Sequence, residues 1–412
     1  MFSTETPYEL IRGRNIEPSV SSCTPSKFWL VGRHGARFPN SNEIRIINEN
    51  SEALHSNILS NYNAGRTSLC ASDIALIRDW RFDPNITSEN AQFLTVAGWN
   101  EVQGIAQRYQ TALPTLLPST YSLTHYSFRS AALPGMISSI AAFADGLFGL
   151  NGHQQVEFDN IDNPDLLLSP HENCPIFDEI NSISTESDAF EEGPEYQEMS
   201  TQISSKLGFH GSHTLSAEQI LALIYICEFE QIYDLNSTSP LCAAFSVANF
   251  QVLEYRQDLF RYYLYGYGQF PNYRRLYENI NCHLIQDMLH YLRSNDSSDP
   301  RARIFNAENI PMMFILNVLG VYEDPVPLTR HNLAQQTFRL WRSSHLSPKA
   351  ANLAVVRYDC PDGDSDVLFL HNEKPLSIDG CQSNGVCKLS MILERFSRYL
   401  DVNCAEIFCT NS

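Results

Sequence analysis

Arg33-His34-Gly35-Ala36-Arg37-Phe38-Pro39 is the stretch of this chain whose residue types and spacing are best suited to chemistry. Two arginines flank one histidine on a glycine turn, so fixed positive charge and bidentate donors converge on a single imidazole. That arrangement suits a phosphoryl group, with the histidine attacking phosphorus and the arginines neutralising charge on the equatorial oxygens. The competing reading is two solvated surface arginines around a packed loop histidine. The full R-H-G-x-R-x-P run behind an apolar stretch favours the first.

Elements must position that loop. Lys27 to Val31 reads as a short buried strand ending in Gly32-Arg33-His34-Gly35. After Pro39, Asn40-Ser41-Asn42-Glu43 can cap a helix whose apolar side carries Ile44, Ile46 and Ile47. A loop between a strand's C-terminal end and a helix is where open α/β sheets hold ligands. Helical spacing recurs from Thr95 to Leu117 and from Ser138 to Phe148, and residues of about 165 to 290 read as mostly helical. Ala351 to Leu370 reads as two strands around a Pro-Asp-Gly turn.

The chain has 412 residues, 43% hydrophobic and 18% charged, which is a globular composition with room for two or three folding units. No apolar run is long enough to span a membrane. A net charge of −19 argues against nucleic acid and anionic lipid. It does not exclude a phosphate ester, because bulk charge is screened within about 8 Å while pocket arginines act at contact distance. Met1 to Pro7 has neither the basic nor the apolar part of a signal peptide, so any such peptide is expected to have been removed. Eleven cysteines without zinc spacing, the sequons at Asn85, Asn236 and Asn295, and no retention signal at the C-terminus predict a secreted or secretory-lumen protein.

Longer stretches carry a resemblance. The R-H-G-x-R-x-P loop, the Leu94-Thr95-Val96-Ala97-Gly98 helix start, Phe143-Ala144-Asp145-Gly146-Leu147-Phe148, Tyr265-Gly266-Tyr267-Gly268, Tyr358-Asp359-Cys360-Pro361-Asp362-Gly363 and Asn372-Glu373-Lys374-Pro375 occur in order. In these the chain resembles the histidine acid phosphatases, and among them the multiple inositol polyphosphate phosphatases. The resemblance implies an α/β fold with a central mixed sheet flanked by helices and an inserted, mostly helical domain. The expected division is residues 20–145 and 295–412 for the core, 146–294 for the insert, and 1–19 as an extension packing on the core.

It also implies roles. His34 would be the nucleophile, Arg33 and Arg37 the phosphate ligands, and Glu308 the acid that protonates the leaving oxygen. No cofactor is implied, and the partner is a small phosphate ester such as an inositol polyphosphate. Two positions depart from the family. Its His-Ala-Glu is here Asn306-Ala307-Glu308, and an arginine eight residues before Phe143 is here Gly135. Losing one buried donor that stabilises a transition state costs about 3–4 kcal/mol, so reduced turnover is expected. A catalytically inactive relative binding inositol phosphates or a protein in the same cleft is the alternative. Asn306 retains one neutral donor for phosphate. His371-Asn372-Glu373 has suitable residue types but stands at a strand end, and Arg129 matches a family arginine read as structural. Cys23 is expected to bridge Cys360 by the same resemblance, with Cys227–Cys242, Cys381–Cys387 and Cys404–Cys409 closing short loops. Cys70, Cys174 and Cys282 are left without assigned partners.

Overall fold

The apolar run before the arginine loop forms the middle of a ten-residue strand, β1 (Thr24–Arg33), buried from Lys27 onward. The computed structural model describes residues 2–181, 186–234, 239–268 and 273–411. β1 is central in a mixed sheet. On one side it pairs in parallel with β3 (Ala302–Ala307), which pairs in parallel with β2 (Tyr126–Ser130). On the other it pairs antiparallel with β4 (Asn352–Asp359), followed by β5 (Asp366–His371), which carries the short strands β6 (Lys374–Pro375) and β7 (Val386–Lys388).

Both faces of the sheet are covered, which is why the central strand reads as continuously apolar. Phe28 and Leu30 face α3 (Val96–Ala112) and α4 (Pro134–Phe148) in one core with Phe128 and Ile304. Trp29 and Val31 point the other way, into a core with Phe305, Val355 and the helices Cys282–Arg293 and Asn309–Val318. A third core lies apart from the sheet, where α1 (Ser41–Asn63) and α2 (Ala71–Asp79) pack on helices Pro194–Lys206 and Ala217–Tyr233. The predicted cap of α1 is present as a capping box: Asn40 accepts from the backbone of Glu43, whose carboxylate accepts from Asn40 N.

Disulfides tie these layers together. Cys23–Cys360 clamps the start of β1 to the end of β4, and Cys227–Cys242 and Cys381–Cys387 close local loops, as expected. Cys404–Cys409 does not form. Cys404 bonds Cys282 and Cys409 bonds Cys174. Cys404 opens the short helix Cys404–Ile407 and is buried, whereas Cys409 lies beyond its end. The chain leaves the helix at Phe408, which is extended, and each thiol meets a distant cysteine instead. Cys70 is the remaining free thiol and is exposed. Asn85 and Asn295 are exposed, and Asn236 lies outside the described residues. Among the described residues no helix is long and apolar enough to cross a membrane.

Candidate active site

β1 and β3 run in register to their last pair, Arg33 opposite Ala307. His34 and Glu308 are the next residue of each strand, so parallel pairing delivers both to one edge of the sheet. Two helix starts then fix the loop after β1. Gly35 and Gly98 cross so closely that a Cβ on Gly35 would lie 2.3 Å from Gly98 O, and one on Gly98 would lie 2.0 Å from Ala36 O. Thr95, the N-cap of α3, accepts from Gly98 N and donates to Ala36 O at 2.9 Å. Gly35 N donates to Ser139 Oγ at 3.2 Å on α4, and Ala36 N donates to Glu101 Oε2 at 2.9 Å on α3.

His34 is 3% exposed. Its Nδ1 lies 2.8 Å from Gly35 O, and a carbonyl can only accept, so Nδ1 carries the proton and Nε2 the free lone pair. Burial, then the charges of Arg33, Lys349 and Arg37, hold the imidazole well below the usual histidine range. The neutral form of His34 is therefore favoured.

Arg33 is buried, contrary to the solvated-arginine reading. Its Nη1 donates to Thr4 O and, at 2.9 Å, to Ser347 O, while its Nε is buried without a hydrogen-bond partner. Burial draws this guanidinium down to about 10, so it stays charged. Arg37 donates to Phe38 O at 2.8 Å and lies 3.7 Å from Glu43. Its side chain passes over Gly135, in the first turn of α4. Gly135 is outside the left-handed region. Its constraint is instead a close approach, since a Cβ there would stand 2.8 Å from Gln92 O.

Glu308 is half-buried and occupies the N-cap of Asn309–Val318 without using its side chain as a cap. Its charge acts on Arg33 and on Tyr265. Asn306 is buried, with Nδ2 over Gly32 and Oδ1 unpartnered. It lines a cavity of about 10 Å³ with Leu30, Val102, Ile105 and Phe143, so its amide sits on the α3/α4 face of the sheet.

The other candidates have structural occupations. His371 is bonded to Tyr322 Oη and Leu346 O, and Glu373 takes two bonds from Arg108 and one from Tyr8. Arg129 is held by Asp162 and Asp165. Among the described residues the one group with metal-ligand spacing, Cys23, Cys360 and Asp366, has its thiols joined in a disulfide.

Three residues of the site escape a reading of the sequence. Glu101 holds the loop, and Glu5 and Lys349 stand beside Arg33. Glu5 Oε1 lies 3.5 Å from Arg33 Nη2, and Glu5 Oε2 lies 2.6 Å from Lys349 Nζ. Glu101 stands within the helical spacing of Thr95 to Leu117 and Lys349 two residues before the strands read from Ala351, so those segments were visible although the roles were not.

This buried histidine, beside Arg33 at the carboxyl end of a central strand, lies within a region that matches a known domain. The model of the histidine phosphatase superfamily (branch 2) matches residues 27–372. This chain belongs to that family. Its relatives include multiple inositol polyphosphate phosphatase 1 of Drosophila melanogaster, 35% identical over 99% of this chain and 87% of the relative. Among solved structures, the phytase from D. castellii superposes with a TM-score of 0.77 at 17% identity, covering all of this chain and 88% of that one. The Bifidobacterium longum multiple inositol polyphosphate phosphatase, in complex with inositol hexasulfate, superposes with a TM-score of 0.70 at 15% identity over 95% and 96% of the two chains. These likenesses extend the histidine phosphatase fold over the whole described molecule.

Proposed function

We propose that this histidine phosphatase is a phosphomonoesterase acting on inositol polyphosphates in a secreted or lumenal setting. The observation that carries the reading is the neutral His34 Nε2 lone pair held among Arg33, Arg37 and Lys349 at the edge that also carries Glu308. His34 Nε2 attacks phosphorus, the ester P–O bond breaks in line, and Glu308 gives its proton to the departing alkoxide. Water then cleaves the phosphohistidine and the enzyme returns to its starting state. Five disulfides and the exposed sequons Asn85 and Asn295 support the compartment.

Turnover is reduced relative to a site with both family donors, because Asn306 is neutral and Gly135 has no side chain. The second reading, a non-catalytic binder of inositol phosphates or a protein, draws support from the carboxylate of Glu5 standing against Arg33. Phosphate release from inositol hexakisphosphate separates the two. The expected result is slow release by wild type, a phosphohistidine that survives alkaline quench, and loss of both in His34→Ala by roughly 10⁴-fold or more. Tight binding with no release would establish the binder.

A further inference from the structure

Lys349 has no exposed surface, yet it carries an ammonium group beside the arginine loop. Its backbone N donates to Thr6 O at 3.0 Å, and the next residue, Ala350, donates to His34 O at 2.9 Å. The side chain is thus anchored one residue from a strand-like tie to the nucleophile. Its Nζ has three donors and one close acceptor, Glu5 Oε2, met at an angle that does not satisfy a hydrogen bond. Burial and the charges of Arg37 and Arg33 lower the ammonium while Glu5 raises it, leaving it at about 7, so an adjacent anion favours its charged form.

Glu5 supplies that anion. Its two oxygens face different cations, Arg33 and Lys349, in the way two oxygens of one phosphoryl group would. Burial pushes its carboxyl upward, but Lys349, Arg33 and Arg37 together pull it to about 2, so it is ionised throughout the useful pH range. The backbone behind it is fastened: Thr4 O accepts from Arg33, Thr4 Oγ1 accepts from Arg261 at 2.9 Å, and the Phe2 ring packs edge-on against Phe250. Only the glutamate side chain needs to swing to vacate the position.

Resting on the phosphatase reading of this pocket, we propose that Lys349 is a third cation of the phosphate site, and that the Glu5 carboxylate is a place-holder which an incoming phosphoryl group displaces. The pair offsets the two missing donors. Lys349 adds a buried positive charge, and Glu5 makes the site selective for ligands anionic enough to compete with it.

The test is a double-mutant cycle read by calorimetric binding of inorganic phosphate, with thermal melts to confirm folding. Glu5→Gln should bind phosphate about tenfold tighter than wild type. Glu5→Gln with Lys349→Met, which removes both members of the pair and leaves Arg33 as the buried cation that Glu5 had faced, should bind at least tenfold weaker than Glu5→Gln alone. Glu5→Gln with Lys349→Arg should recover most of that loss. Equal affinity in Glu5→Gln and in its Lys349→Met partner would overturn the proposal, because Lys349 would then be only a counter-ion of Glu5. Absence of phosphate binding in every variant would overturn it too. Phosphate binding that follows the cycle without any turnover on an ester would leave the proposal standing and defeat the phosphatase reading instead.

Discussion

The two halves of the pocket are built to different standards. On the β1 side the loop is pinned from several elements: His34 by Gly35 O, Arg33 Nη1 by two carbonyls, Ala36 by Glu101 and Thr95. On the β3 side Glu308 leaves its helix uncapped by its side chain, and Asn306 keeps a buried oxygen without a partner. An orphaned buried polar atom costs about 1–3 kcal/mol, and each side carries one, Arg33 Nε after β1 and Asn306 Oδ1 in β3. On the proposed reading, the placement of His34 is then sound and the limit on turnover lies with the groups around the departing oxygen.

If that is right, the largest effect after loss of His34 comes from the acid. Glu308→Gln should slow release from inositol hexakisphosphate by about 10²–10⁴-fold. An aryl phosphate, whose leaving group needs no proton, should be slowed far less. Equal slowing of both substrates in steady-state assays would mean that Glu308 serves the nucleophile's half.

A smaller, opposite effect is expected at Asn306. Asn306→His should raise kcat by roughly 10–10²-fold, part of the 10²–10³ carried by a single well-placed donor. Gly135→Arg is a harder repair, because its Cβ must displace the Gln92 carbonyl that would stand 2.8 Å away. We expect that variant to melt lower than wild type by about 1–3 kcal/mol of stability. Any gain in rate from the pair has to be read on folded protein.

The smallest effect is in the pH profile and sharpens the description of the β1 half. His34 has its pKa depressed by burial and neighbouring cations, so its nucleophilic form persists above that lowered value and is lost only as pH falls through it. kcat/KM should therefore show no fall centred at about 6.5, where an ordinary histidine protonates. A fall centred at 6.5 would mean that the imidazole is not shielded as the geometry requires.

Much of this was legible in the chain. Lys27 to Val31 announced β1, Asn40 and Glu43 announced a capped α1, and the arginine–histidine loop stood between them. All of these rest on residues within a few positions of one another, where backbone geometry and side-chain period act directly. The pair Cys23–Cys360 followed from resemblance, but Cys404 and Cys409 misled, because closeness in sequence does not decide which distant cysteine the fold brings to each thiol.

The sequence by itself determined the arginine–histidine loop, the carboxylate at Glu308 and the residues standing at Asn306 and Gly135, since motifs are local properties. Only the tertiary structure decided that Glu5 and Lys349, 344 positions apart, close on the same arginine. It also decided that Glu101 ties the N-terminal segment to the catalytic loop through Tyr8 N and Ala36 N. Such contacts leave no periodicity and no spacing in the chain. They exist because the path of the sheet and its helices carries distant residues to one edge, where buried charges must find partners.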